Sequence, residues 1–362
     1  MISRRDFTLG GTATALAVSV PAIAQSTLAQ PALAQPALAQ PMTKVKLGVP
    51  NAATDVGYFV AHARGYFKDE GLDVEIIPFD SAARMIAPMA SGDLQVAAGG
   101  PSAGLYNGIS RGLELRMVSD KSRNVVNRSS IRVVVRKELV DSGRVKTIAD
   151  LKGLKYANGA PGSSATSGFY MLFKKAGIRM DEVQEVSMSF PQQVAALESG
   201  AIDFAMPPDP AGTLAVKRGA AVVLMQGWEL IPSHQVAVTL YGGKFINEQN
   251  EQGKRFMRAF LRGVRDHNDA LDDTGNFTGP KGDAIVDILV KYGPFRDPQI
   301  YRSFVLAYCD PDGKLDMKSL QTDIDIFQEL KMLERPVDLA KVVDMSFVDW
   351  AVQQLGPYKK AV

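Results

Sequence analysis

Met89-Ala-Ser-Gly-Asp-Leu-Gln-Val-Ala-Ala98 is answered 108 residues later by Leu197-Glu-Ser-Gly-Ala-Ile-Asp-Phe-Ala-Met206. Each stretch reads as the end of a helix, a Ser-Gly stop and a short apolar strand. Each then runs into a proline turn, Gly99-Gly-Pro-Ser102 in one and Pro207-Pro-Asp-Pro210 in the other. An offset of this length is too long for a solenoid repeat and suits two similar α/β lobes. Ten aligned positions are also within reach of chance between two common turns, so the rest of the chain has to agree.

Working outward, the pattern does agree. Upstream, strands are predicted over 44–50, 72–77 and 94–98, with helices over 56–67, 82–90 and 103–110 between and after them. Downstream, a β-branched strand over 130–136 is followed by a short helical start at 148–151, strands at 183–188 and 202–206, and a helix over 192–199. Two further strands are predicted at 222–225 and 235–241. Strands alternating with helices argue for mainly parallel sheets with helices on both faces. Beyond residue 247 the periodicity is helical, over 251–268, 282–292, 298–307, 317–331 and 346–355.

Between the two halves of the repeat lies Asn158-Gly-Ala-Pro-Gly-Ser-Ser-Ala-Thr-Ser-Gly168, a strand-to-helix turn rich in Gly, Ser and Thr. Such a turn aims unpaired backbone N–H groups and hydroxyls at one spot, with a helix dipole behind them, and so can cradle an anion. The ordinary alternative is a helix cap by Ser163 or Ser164. The spacing is not that of a Walker loop.

The 362 residues are 46% hydrophobic and 22% charged, with a formal net charge of +2. That is globular composition with no basic field for nucleic acid. Residues 1–24 read as a signal peptide of the twin-arginine type, with Arg4-Arg5 ahead of an uncharged apolar run and Ala22-Ile23-Ala24 at the cleavage positions. Residues 25–43 hold a repeated Leu-Ala-Gln-Pro unit and read as linker. The single cysteine, Cys309, allows no internal disulfide, and no cysteine near the signal offers a lipid anchor. A soluble periplasmic protein is expected.

Several features together carry a family resemblance. They are Gly65-Tyr66-Phe67 with Gly71-Leu72-Asp73-Val74, both Ser-Gly-strand units, Ala149-Asp-Leu-Lys-Gly153, and a tail running from Asp312-Gly-Lys-Leu through Pro336-Val-Asp-Leu and Val343-Asp-Met-Ser-Phe347 to Leu355-Gly-Pro-Tyr358. From residue 44 onward the chain resembles periplasmic solute-binding proteins of the nitrate/sulfonate/taurine and thiamine-precursor type. The resemblance implies a type II clamshell with two α/β lobes, two crossing strands near 128–135 and 235–241, and the ligand held between the lobes. Lobe one would take 44–128 plus 240–362, and lobe two 129–239. It also implies partners: a small-molecule solute and the permease and ATPase subunits of an ABC importer, with the binding protein acting as a monomer. Where relatives of this type often carry an aromatic just before the position of Asp209, this chain has Pro207-Pro208.

In open parallel sheets ligands bind beyond the carboxyl ends of the strands. Four turns therefore face the expected cleft, at 51–58, 99–102, 159–166 and 207–210. They supply the candidate ligand residues Asp55, Tyr58, Gly100, Pro101, Ser102, Ser163, Ser164, Thr166 and Asp209, to which Phe190 and His234 are added from nearby. Tyr58, Phe190 and Trp228 are candidates for stacking on a planar ligand, and Asp209 for an amine or ring N–H. Lys121, Arg123 and Arg128 lie near the first crossing and offer charge to an anion, solvated surface being the expected fate of at least two of them. His62, His234 and His267 have no carboxylate or cysteine at ligand spacing, so neither a metal site nor a cofactor is expected. The functional expectation is import of a small polar or anionic organic solute such as a sulfonate, nitrate or taurine-like molecule. The alternatives are a pyrimidine or aromatic acid as solute, a sensor subunit, or an enzyme on the same fold. No pairing of nucleophile and base favours the last.

Overall fold

The computed structural model describes residues 10–11 and 41–360; apart from residues 10–11, the expected signal peptide, and the expected linker up to residue 40, lie outside the described residues. From Pro41 onward the chain forms one unit built on two five-stranded sheets. The first contains β1 (Thr43–Val49), β2 (Leu72–Pro78), β3 (Val96–Gly99) and β4 (Leu115–Asn124). The second contains β5 (Arg132–Arg136), β6 (Lys155–Asn158), β7 (Gln184–Ser187), β8 (Phe204–Ala205) and β9 (Ala221–Gln226). The chain then returns to the first sheet as β10 (His234–Gly242).

The strand orders are β2-β1-β3-β10-β4 and β7-β6-β8-β5-β9. In each, three parallel strands are followed by one antiparallel strand contributed from beyond a crossing. β3 and β8, the strands of the repeat, occupy the same place in the two sheets. The lobes are thus topologically alike, and the two-lobed α/β clamshell read from the sequence is the fold observed. The return crossing differs in position. All of β10 pairs within the first sheet, against β3 and β4, so the chain crosses back over residues 227–233 rather than within 235–241. The outward crossing covers residues 125–131.

Each sheet is covered on both faces. In the first, Val45, Leu47 and Val49 of β1 pack with Phe59 of the helix Val56–Ala63 and with Phe256 and Phe260 of the helix Asn250–Asp269. Its other face packs Leu240 with Tyr106 of the helix Ala103–Ser110 and Phe327 of the helix Met317–Glu329. In the second sheet, Phe169, Leu172 and Phe173 of the helix Ser164–Ala176 gather round Tyr156, while Val194, Leu197 and Leu214 cover the opposite face. Each fully buried side chain of this size contributes about 1.5–3 kcal/mol of hydrophobic stabilisation.

Some expected elements differ. The helix predicted over 56–67 is two, because Gly65 takes φ +77 between Val56–Ala63 and Tyr66–Asp69. The helix predicted over 298–307 stops at Tyr301, after which the chain extends so that Arg123 N–H can donate to the Tyr308 carbonyl at 2.9 Å. β4 has no counterpart in the sequence expectations.

Candidate inter-lobe site

The four turns beyond the parallel strands meet across a cavity of about 90 Å³. Pro50, Ala52 and Thr54 come from the turn after β1, Gly100 and Ser102 from that after β3, Gly159, Ser163 and Ser164 from that after β6, and Met206 and Pro208 from that after β8. The lobes are closed on one another here. Ala53 N–H donates to the Asp209 carbonyl at 3.0 Å, and Ala103 N–H to the Gly162 carbonyl at 2.8 Å. Gly100 sits so close to the opposite lobe that a methyl there would overlap Ser164 Oγ, and it would also lie 2.8 Å from the Val236 carbonyl of its own sheet.

Of the expected site residues, Gly100, Ser102, Ser163, Ser164, Phe190 and His234 line the cavity. The helix Ser164–Ala176 begins at Ser163, whose hydroxyl does not cap it. Ser163 Oγ instead donates to Asn158 Oδ1 at 2.9 Å, leaving the first-turn N–H groups without a side-chain partner. Ser102 does cap its helix, accepting from Leu105 N–H at 3.1 Å.

Four expected residues serve the fold here, and Pro101 is not among the lining residues. Tyr58 is fully buried, stacked on Phe260 at 4.3 Å between centroids and hydrogen-bonded to Thr239. Thr166 accepts from Asn158 Nδ2 at 2.9 Å. Asp209 is ion-paired with Arg132 and accepts from the Thr213 hydroxyl at 2.8 Å. Asp55 does not cap the helix after it; it accepts from Ala52 N–H at 2.7 Å and pairs with Lys121. Trp228 lies away from this cavity, beside Arg132 and Phe304 in a separate groove.

Lys121 is the cation of the site. It extends from β4, lines the cavity and is only 1% exposed. None of the three expected cations is solvated surface. Arg123 pairs with Asp310 at 2.8 Å and Arg128 donates to the Leu306 carbonyl at 3.0 Å, both half-buried. His234 stands opposite a second carboxylate, its Nε2 lying 3.1 Å from Asp323 Oδ1. Burial alone would depress this imidazole, but the charge and hydrogen bond of Asp323, with Asp316 behind it, raise it above its ordinary range. Burial pushes the Asp55 carboxyl up, against the opposing pull of Lys121.

Several polar atoms around this cavity have no hydrogen-bond partner: His234 Nδ1, Ser81 Oγ and Ser130 Oγ, all on residues at most 4% exposed. Lys121 Nζ has its ion pair with Asp55 and no hydrogen bond. Buried polar groups without partners are costly and uncommon, and a cluster of them round one cavity suits a polar ligand. Ser81 and Ser130 were not anticipated from the sequence. They lie just outside the four turns, and only the closed geometry brings them in.

A family model described as NMT1/THI5 like matches residues 53–269, and the chain belongs to that family. Sequence comparison with curated proteins finds no match. Solved structures with the same fold include the alkanesulfonate-binding protein of Xanthomonas axonopodis pv. citri (17% identity, 83% of this chain and 98% of that one, TM-score 0.64). The periplasmic nitrate-binding protein of Synechocystis is a second (13% identity, 87% and 89%, TM-score 0.71). A desulfurization enzyme also shares the fold (13% identity, 86% and 99%, TM-score 0.56), so the architecture serves both binding and catalysis. Among the described residues no helix is long and apolar enough to cross a membrane, and no cluster of His, Cys, Asp and Glu suits a metal ion.

Proposed function

We propose that this protein is the periplasmic solute-binding component of an ABC importer, closing over a small anionic organic solute and presenting it, as a monomer, to a membrane permease and its ATPase. The carrying observation is a set of buried donors on residues lining one inter-lobe cavity: the Lys121 ammonium, ion-paired with Asp55, the unpartnered Nδ1 of His234, and the unpartnered hydroxyls of Ser81 and Ser130. An ammonium, a charged imidazole and two hydroxyls can all donate to the oxygens of a sulfonate, carboxylate or nitrate. The helix starting at Ser164 adds backbone N–H groups of the same sign. Resident family and fold support the transport role, and so do the expected export signal and linker.

A neutral pyrimidine is less well served. It would ask for a free carboxylate to accept its ring N–H or amine, and Asp55 and Asp209 are both engaged by cations. An aromatic acid satisfies the same donors as a sulfonate. The chain's one thiol is not set up as a nucleophile, because burial pushes Cys309 up to about 12. A sensor subunit would use the same cleft and differ only in what the closed form touches.

Thermal-shift and calorimetric titration of the mature protein with sulfonates, nitrate, aromatic acids and pyrimidines tests the reading. An anion is expected to raise the melting temperature by mass action, and Lys121→Met to abolish that shift. Binding of a neutral pyrimidine with no response to any anion would overturn it.

A further inference from the structure

A second space adjoins the inter-lobe cavity. This outer chamber, of about 260 Å³, shares Pro50, Ala52, Phe190 and Pro208 with the inner one, so the two meet at these four residues. Phe79 reaches it from the turn after β2, Phe190 from the start of the helix Phe190–Ser199, and Phe295 from the segment ahead of the helix Pro298–Tyr301. All three rings are half-buried and so keep part of their apolar surface facing this space. Prolines make up much of the remaining wall.

The inner cavity holds the equivalent of only about six water molecules, enough for the head of a solute and little more. A bare inorganic anion or a methyl-bearing one would fill it and leave the three phenylalanines wet. A solute with an apolar body would cover them and gain from their desolvation. The charges at the rim point the same way. Asp80 is exposed there and Asp209 is already neutralised by Arg132, so the outer chamber offers no cation to a second anionic group.

We infer that the solute is a monoanion carrying an uncharged aromatic or similarly bulky apolar body, its oxyanion at Lys121 and His234 and its body among Phe79, Phe190 and Phe295. This rests on the anion-binding reading above and narrows it to a substrate class. Phe190, which borders both chambers, lies where head joins body. The wall that Pro207-Pro208 leaves without an aromatic is made good from the other side of the opening.

Calorimetry on the mature protein with methanesulfonate, taurine, nitrate, benzenesulfonate and naphthalenesulfonate tests the inference. Affinity is expected to rise by about tenfold or more from the methyl to the naphthyl compound. In Phe295→Ala the ratio of naphthyl to methyl affinity is expected to fall by about tenfold, with Phe295→Leu intermediate and the melting temperature of each free variant confirming that it is folded. An aromatic carboxylate that outbinds acetate would support the inference equally. If methanesulfonate, taurine or nitrate binds as tightly as the aryl sulfonates, the inference falls and the anion-binding reading stands. If no anion binds and a neutral ring does, both fall.

Discussion

Lys121 and Asp55 form an ion pair on the wall of the inter-lobe cavity, their side chains 1% and 0% exposed. The pair joins β4 to the turn after β1, and it fixes a cation where a bound oxyanion would sit. Such a pair gives little net stability, because desolvation offsets the attraction, but removing one member is costly. Lys121→Met should therefore lower stability by about 3–5 kcal/mol near neutral pH, measured by denaturant unfolding. The loss should shrink at acid pH, where the unpaired carboxyl takes up a proton. The double variant Lys121→Met with Asp55→Asn should recover most of the stability and none of the anion affinity. Recovery of affinity would show that Lys121 only props up the fold.

His234 makes anion binding depend on pH. Asp323 raises its pKa against the effect of burial, so the imidazolium persists above its ordinary range near 6.5. With Nε2 on Asp323, the charged ring carries a second N–H, at Nδ1, that has no partner among the described residues. Affinity for a sulfonate, whose own charge is fixed, should be full at low pH and fall as pH rises through the raised pKa. The sign for stability is the same: the contribution is complete below the unfolded imidazole value and lost as pH climbs through the folded one. His234→Gln should flatten the affinity profile measured by calorimetry from pH 5.5 to about 9. A wild-type profile already flat over that span would rule out a proton on Nδ1.

The sequence showed the architecture more clearly than the site. The 108-residue repeat placed β3 and β8, and these occupy equivalent positions in the two sheets. The four turns followed from that, since turns beyond parallel strands are set by topology. What escaped was β4, Leu115–Asn124, which carries the key cation. Its Ser119, Asp120, Lys121, Ser122 and Asn124 are polar and carry no strand pattern, yet all are buried. They are tolerated because partners arrive from far along the chain: Thr239 for Ser119, Gln235 and Asp310 N–H for Asp120, Asp55 for Lys121. No local pattern encodes such pairing. Tyr58 misled in the opposite sense, because a residue in a cleft-facing turn can still be the one that points into the core.

Cys309 tests whether the region behind the cleft is as closed as the structure shows. The thiol is 3% exposed, and burial with the nearby Asp120 charge raises it to about 12. Asp120 is itself pushed up to about 7 by burial, against hydrogen bonds from Gln235 and Asp310. Almost no thiolate exists at neutral pH, so an aromatic disulfide reagent should leave the native protein unmodified for hours and react at once in denaturant. Anion binding, by favouring the folded state, should slow any residual modification. Rapid labelling of the native protein would mean that the segment around Cys309 opens independently of global unfolding.

Gly100 sets how closely the lobes can approach. A Cβ at this position would run into Ser164 and the Val236 carbonyl, so there is room for hydrogen only. The opposing backbone is held by the Ala103–Gly162 hydrogen bond at 2.8 Å and cannot yield without parting the lobes. Gly100→Ala should act on closure through Ser164, which its methyl meets only when the cleft shuts, and on the free protein through the Val236 carbonyl of its own sheet. The expected result is a folded free protein of somewhat lowered melting temperature, with anion affinity reduced at least about tenfold, equivalent to roughly 1.4 kcal/mol. Small-angle scattering supplies the independent readout. Ligand should contract the wild-type protein, as hinge closure does, and leave Gly100→Ala more open at saturating concentration. If the variant contracts fully and binds normally, the close approach at Gly100 is not what limits the bound state.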